Sequence, residues 1–169
     1  FQLVLGAQPA HLDARLELAD CYDRLGQGQK ALEQYEKARM YHPVNPKPYF
    51  RSGNYYLRHA EENATYFDRA RDFYFQAIHH DPQYYFAHHN VAVTYMKQND
   101  YERARLWFER ALKIKPDYAT AHRNLGMLYE LHLNNKEAAI REYREYLRLG
   151  GPDAKEVADW LRALEEAGK

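Results

Sequence analysis

Four prolines set the terms on which this chain can fold. Pro9, Pro43, Pro82 and Pro116 stand 34, 39 and 34 residues apart, and Pro152 follows 36 later. Recurrence on that scale marks a repeat architecture. Aligning the copies on their prolines brings other residues into register. A small residue recurs at Ala19, Gly53, Ala92 and Gly126, and a tyrosine stands three places on at Tyr22, Tyr56, Tyr95 and Tyr129. Ala31, Ala70, Ala104 and Ala139 come next, each followed four residues later by an aromatic: Tyr35, Tyr74, Phe108 or Tyr143. Three residues further stand Ala38, Ala77 and Ala111, with Tyr146 in the last copy.

Residues three or four apart share one face of a helix. The small residue with its tyrosine predicts a first helix, and the alanines with their aromatic predict a second. Small side chains let the two helices approach closely while the aromatics fill the surrounding space. Proline then ends the second helix, since it cannot continue one and restricts the residue before it. The breaks inside the hairpins are polar turn formers: Gly26-Gln27-Gly28, Gln98-Asn99-Asp100 and Asn134-Asn135. A single hairpin cannot bury both of its apolar faces, so the copies must stack.

These residues resemble the tetratricopeptide repeat, a 34-residue unit with Leu-Gly, Tyr, Ala, Phe, Ala and Pro at set offsets. The best copies begin at Asn90-Val91-Ala92-Val93-Thr94-Tyr95 and Asn124-Leu125-Gly126-Met127-Leu128-Tyr129. The resemblance implies an all-α, right-handed α-solenoid of stacked helix-turn-helix repeats, with repeats at 12–45, 46–84, 85–118 and 119–154. Residues 1–11 read as the tail of a preceding repeat helix, so the chain is expected to be a fragment of a longer array. Residues 155–169 read as a C-terminal capping helix, with Val157, Trp160, Leu161 and Leu164 on one stripe and charges on the other. Tyr146 is expected to adapt the last repeat to this cap. The sequence departs from the family at its first-helix tryptophan, which is here Arg15, Tyr49, His88 or His122, and at Ser52, where leucine is usual. The second repeat carries an insertion near 60–65, expected as a longer first helix or a protruding loop. Thr65 with Asp68 looks like the start of a helix running over about 66–80.

Composition narrows the function. Lys+Arg and Asp+Glu each number 24, giving a formal net charge of zero. That balance lacks the basic footprint of a nucleic-acid or anionic-membrane binder. A pentatricopeptide RNA binder also repeats helical pairs, but the neutral charge and the proline after each second helix argue against it. No apolar run reaches the roughly 18 residues of a membrane span. Cys21 is the only cysteine, so no internal disulfide forms and the compartment stays open. Nine histidines include the adjacent pairs His79-His80 and His88-His89, but none is spaced to chelate from one helix face, so no metal site is expected. There is no nucleophile elbow, phosphate loop or Cys/His signature. No enzymatic activity and no cofactor are therefore expected. Charges such as Arg141, Glu142, Arg144, Glu145 and Arg148 read as solvated helix surface. Asn63-Ala64-Thr65 fits the N-glycosylation pattern, which is common by chance.

In the family the first helices line a concave groove that reads a peptide or partner segment. Register carries that role to Lys47, Phe50, Arg51, Asn54 and Arg58 in the second repeat, and to Phe86, His89, Asn90, Met96 and Lys97 in the third. In the fourth it falls on Arg123, Asn124 and Met127, with Glu130 and Leu131 beside them. The first repeat adds the acids Asp13, Glu17 and Asp20, so the groove is expected to run from acidic to basic. Lys47, Arg51, Asn54 and Asn90 partly match the clamp with which chaperone-binding members grip a C-terminal carboxylate. The plainer reading is an ordinary polar wall whose asparagines hydrogen-bond between helices. A surplus of tyrosine within 16 in all marks Tyr84-Tyr85-Phe86 and the 60–66 insertion as a candidate contact surface. The expected function is a protein-interaction scaffold. The alternatives are a structural subunit that self-associates or packs into a larger complex, and an accessory module of a longer enzyme.

Overall fold

The computed structural model describes residues 1–166, and over that span it holds ten α-helices and no strand. They are α1 (Gln2–Ala7), α2 (Leu12–Arg24), α3 (Gly28–Tyr41), α4 (Pro46–Arg58), α5 (Thr65–His80), α6 (Tyr85–Lys97), α7 (Tyr101–Ile114), α8 (Ala119–Leu131), α9 (Lys136–Arg148) and α10 (Ala154–Glu166). The expected capping helix is described as far as Glu166, and its last three residues lie outside the described span. The chain divides into two compact units, Phe1–Asn90 and Val91 onward.

In the first unit α2 pairs with α3 and α4 with α5, and α3 also packs on α4. Turn chemistry explains the breaks. Gly26 closes the α2–α3 turn at φ 70°, in the left-handed region that costs glycine little. Asn45 caps α4 by accepting the Lys47 amide at 3.0 Å, with Pro46 at the first position, where its missing N–H costs nothing. The insertion is a loop over 59–64. Thr65 does not cap α5 but is its first residue. Asn63 Oδ1 accepts both the Thr65 amide at 3.0 Å and its hydroxyl at 2.8 Å, holding the chain in the turn that leads into the helix.

The aligned alanines and aromatics form the core. Ala19, Ala31, Tyr35, Ala38, Ala70, Tyr74 and Ala77 are all wholly buried. Gly53 shows why the first-helix position must be small. A Cβ there would come within 2.5–2.7 Å of the Tyr74 ring, so the helix backbone lies against the ring with no room for a side chain.

In the second unit Ala92, Ala104, Phe108, Leu125 and Leu128 form one cluster, joining the latter part of α6 to α7 and α8. Ala139, Tyr143, Tyr146 and Val157 form the other, between α9 and α10, with Trp160, Leu161 and Leu164 packed against it. Tyr146 is buried, and its hydroxyl accepts the Asp153 amide at 3.0 Å, tying the loop before α10 to α9. The turns here use Asn99 and Asn134 at φ 61° and 48°. Asparagine tolerates that conformation better than most residues.

The position of the family's tryptophan has an unexpected use. Arg15 donates to the Pro9 carbonyl, Tyr49 to Pro43 at 2.8 Å, His88 pairs with Pro82 at 3.0 Å and His122 with Pro116 at 2.9 Å. A guanidinium, a phenol and two imidazoles thus anchor each first helix to the carbonyl of the proline six residues before it. An aromatic pattern reports bulk at this site but not the donor, so sequence reasoning did not find the bond.

Candidate functional site

The first unit gathers part of the sequence-predicted wall around a cavity of about 300 Å³. Its lining is Asp13 and Leu16 from α2, Lys47, Phe50, Arg51 and Asn54 from α4, and Tyr84 and Phe86 at the start of α6. Phe50 packs edge-on to Tyr84 at 5.4 Å and tilted to Phe86 at 6.1 Å. Phe86 keeps 37% of its surface exposed. Of the proposed aromatic contact surface, Tyr84 and Tyr85 are half-buried, while Glu61 to Thr65 of the insertion are exposed.

Charge at this wall is already matched. Lys47 lies 3.7 Å from Asp13. Arg51 binds Glu17 at 2.9 Å and also Asp20. Arg58 and His59 share Asp23, the histidine at 2.7 Å. Asp20 and Asp23 are buried, so their cations are structural requirements. Asp20 also receives the phenol of Tyr35, whose pKa burial and that carboxylate raise. The acidic α2 and basic α4 are therefore two sides of one ion-pair ladder. A ligand carboxylate approaching Arg51 would have to displace Glu17 or Asp20, which weighs against the clamp. The ladder was missed because its partners lie more than thirty residues apart. Its signal is acids at Asp13, Glu17, Asp20 and Asp23 recurring as bases about one repeat later.

The asparagines hydrogen-bond between helices. Asn54 Oδ1 accepts Tyr74 Oη at 2.9 Å and Asn90 Nδ2 at 2.7 Å, which orients its own amide donors away from that pair. His89 departs from the expected exposed position. It is 6% exposed, burial lowers its pKa, and its Nδ1 meets Asn90 at 2.9 Å, so it presents no surface to a partner.

In the second unit Met127 joins Glu130, Leu131, Tyr143 and Trp160 around a separate cavity of about 240 Å³. Tyr143 donates to Glu130 at 2.6 Å, and its ring lies 5.8 Å from that of Trp160. Arg123 turns toward α10. Its guanidinium sits 5.2 Å over the Trp160 ring, 3.8 Å from Asp153 and 4.0 Å from Glu156. Met96 packs on the Ala92 cluster, Asn124 is half-buried and Lys97 is exposed; none of the three lines this cavity. Glu142, expected as solvated surface, instead pairs with His122 at 2.7 Å. Among the described residues no group of three or more His, Cys, Asp or Glu could hold a metal ion, and no helix is long and apolar enough to cross a membrane.

Comparison with known proteins adds the family. Residues 94–132 match a family described as TPR repeat, and residues 1–46 one described as tetratricopeptide repeat. No curated protein matches the sequence. Solved structures with the same fold include TTC0263, a thermophilic TPR protein of Thermus thermophilus. It is 21% identical over 96% of this chain and 86% of that one, at TM-score 0.79. MamA is 22% identical over 91% and 86%, at 0.69. The first TPR of Spaghetti (RPAP3), solved bound to the HSP90 peptide SRMEEVD, is 23% identical over 73% and 92%, at 0.63. Paired helices, small-on-aromatic contacts and these matches together make the fold a helical-repeat solenoid, and the chain is a tetratricopeptide-repeat protein.

Proposed function

We propose that this chain is a non-catalytic scaffold whose first helices hold a segment of a partner protein, with repeats at 12–45, 46–84, 85–118 and 119–154. The observation that carries the reading is the convergence of Lys47, Phe50, Arg51, Asn54 and Phe86 on one cavity. An exposed aromatic recess beside fixed polar groups is the usual makeup of an interface anchor site. The first TPR of Spaghetti, with the same fold, holds a peptide, which supports a protein partner. Its acidic peptide is a poor guide to the ligand here, because the Arg51 guanidinium is already engaged by two carboxylates. Lys97, Arg123 and Asn124 add peripheral contacts in this reading.

A photo-crosslinking amino acid at Phe86 tests it against the same group at Met40, which is 73% exposed on α3. In an extract of the source cell, Phe86 should form an adduct with a heterologous polypeptide and Met40 should not. Equal labelling from both positions, or adducts only between copies of this chain, would remove the reading. The second outcome would favour an assembly subunit instead, for which the exposure of Met40 and Val44 at 73% and 75% already speaks.

A further inference from the structure

Glu130 is a carboxylate that lines a cavity without an ion-pair partner among the described residues. It stands four residues after the recurrent small residue, Gly126, as Asp23 does after Ala19. Asp23 is answered by Arg58 and His59. At Glu130 the helix alongside is α10, and what it brings to the cavity is the Trp160 ring. Among the described residues the only hydrogen bond to Glu130 comes from the Tyr143 phenol, and no Lys, Arg or His lies within ion-pair distance of it. The nearby Arg123 is met by Asp153 and Glu156 and does not line the cavity. The rest of the lining is Met127, Tyr143, Trp160 and Leu131, which is 61% exposed.

We propose that this cavity takes a lysine or arginine side chain of the partner polypeptide. The inference rests on the scaffold reading above and specifies its ligand. A cationic head meets the Glu130 carboxylate, which no ion pair engages, beside a Trp160 ring that Arg123 already covers on one side, so the carboxylate supplies the attraction and the ring a flat wall. The aliphatic stem lies along Met127, and the exposed Leu131 receives an apolar neighbour of the basic residue. A neutral anchor is disfavoured, because it would strip water from Glu130 without replacing the lost interaction. An acidic one is repelled.

The indole N–H resonances of Trp160 and Trp107 provide a reporter and a control in the ¹⁵N-labelled chain. The probes are the capped peptides Ac-Gly-Leu-X-Leu-Gly-amide with X as Lys, Arg, norleucine or Glu, together with n-butylammonium. The Lys and Arg peptides should shift Trp160 and leave Trp107 unmoved, with the norleucine peptide weaker by about three- to tenfold. Glu130→Gln keeps an acceptor for the Tyr143 phenol, and so the fold, which thermal denaturation checks. It should bring the Lys peptide down to the norleucine value. Equal binding of Lys and norleucine peptides overturns the proposal, as does indifference to Glu130→Gln or an unmoved Trp160. If n-butylammonium binds as well as the Lys peptide, the site belongs to small amines and the peptide assignment fails. The Phe86 crosslink is independent of Glu130, so success there with failure here removes only the basic anchor.

Discussion

At His122 both ring nitrogens face acceptors, the Pro116 carbonyl at 2.9 Å and the Glu142 carboxylate at 2.7 Å. A neutral imidazole donates from one nitrogen only, so this arrangement calls for the charged ring. Burial pulls the pKa of His122 down, but the Glu142 carboxylate and the Pro116 carbonyl outweigh it and leave it raised. His59 is raised as well, by the Asp23 hydrogen bond against burial, with Glu62 adding to it. A raised histidine stabilises fully below its unfolded value of about 6.5, and that contribution is lost as pH rises through the folded pKa. His89, lowered by burial, has the opposite sign: its contribution is present above the unfolded value and is lost as pH falls. Site-specific titration must therefore accompany the melting curves. We expect Glu142→Gln to lower the His122 pKa by NMR and to flatten the decline of Tm from about pH 6 to 8. An unchanged His122 titration would show that the carboxylate does not hold the charge. None of this is legible in the sequence, where His122 looks like a substitute for a bulky aromatic. Shape can be read from a repeat pattern, whereas a bond to a backbone carbonyl depends on coordinates.

The hairpin is the scale at which the sequence is most readable. Prolines, turn residues and the small-plus-aromatic register all answer to one constraint, the close approach of two helices, and so they recur together. Gly53 and Gly126 make that constraint measurable. In a solvated helix Gly→Ala stabilises by about 1 kcal/mol. Here the new Cβ would meet the Tyr74 or Tyr143 ring at 2.5–2.7 Å, and both rings are wholly buried. Overpacking wins, and each substitution should cost about 1–3 kcal/mol in thermal or urea unfolding. Stabilisation by either change would mean the rings can retreat. At the corresponding positions Ala19 and Ala92 carry the methyl and are wholly buried, as are Tyr35 and Phe108, so the hairpins are variations on one packing solution. The wall residues are less legible than the hairpins. His89 falls on a register position that reads as exposed and proves buried, because register gives direction on the helix and leaves open what packs over it.

Across the whole molecule, stability in a repeat array is close to a sum of local terms and nearest-neighbour interfaces. Disruption should accordingly stay near its origin. In hydrogen exchange, Gly126→Ala should speed the amides of α8 and α9 while those of α2 and α3 keep their protection. A uniform loss of protection would show one cooperative body. The overall class, all-helical and repetitive, follows from period alone. The neutral charge total, by contrast, hides where the charges go, because a sum cannot distinguish scattered surface ions from acids on α2 aligned with bases on α4. That alignment gives the hairpins a fixed order. If α2–α3 and α4–α5 were exchanged by gene shuffling, Asp20 and Asp23 would lose Arg51, Arg58 and His59 and be stranded in the interior. These two modules look alike in outline, yet the first is keyed to the second, and anyone recombining them must move the acid-bearing helix and the base-bearing helix as one piece.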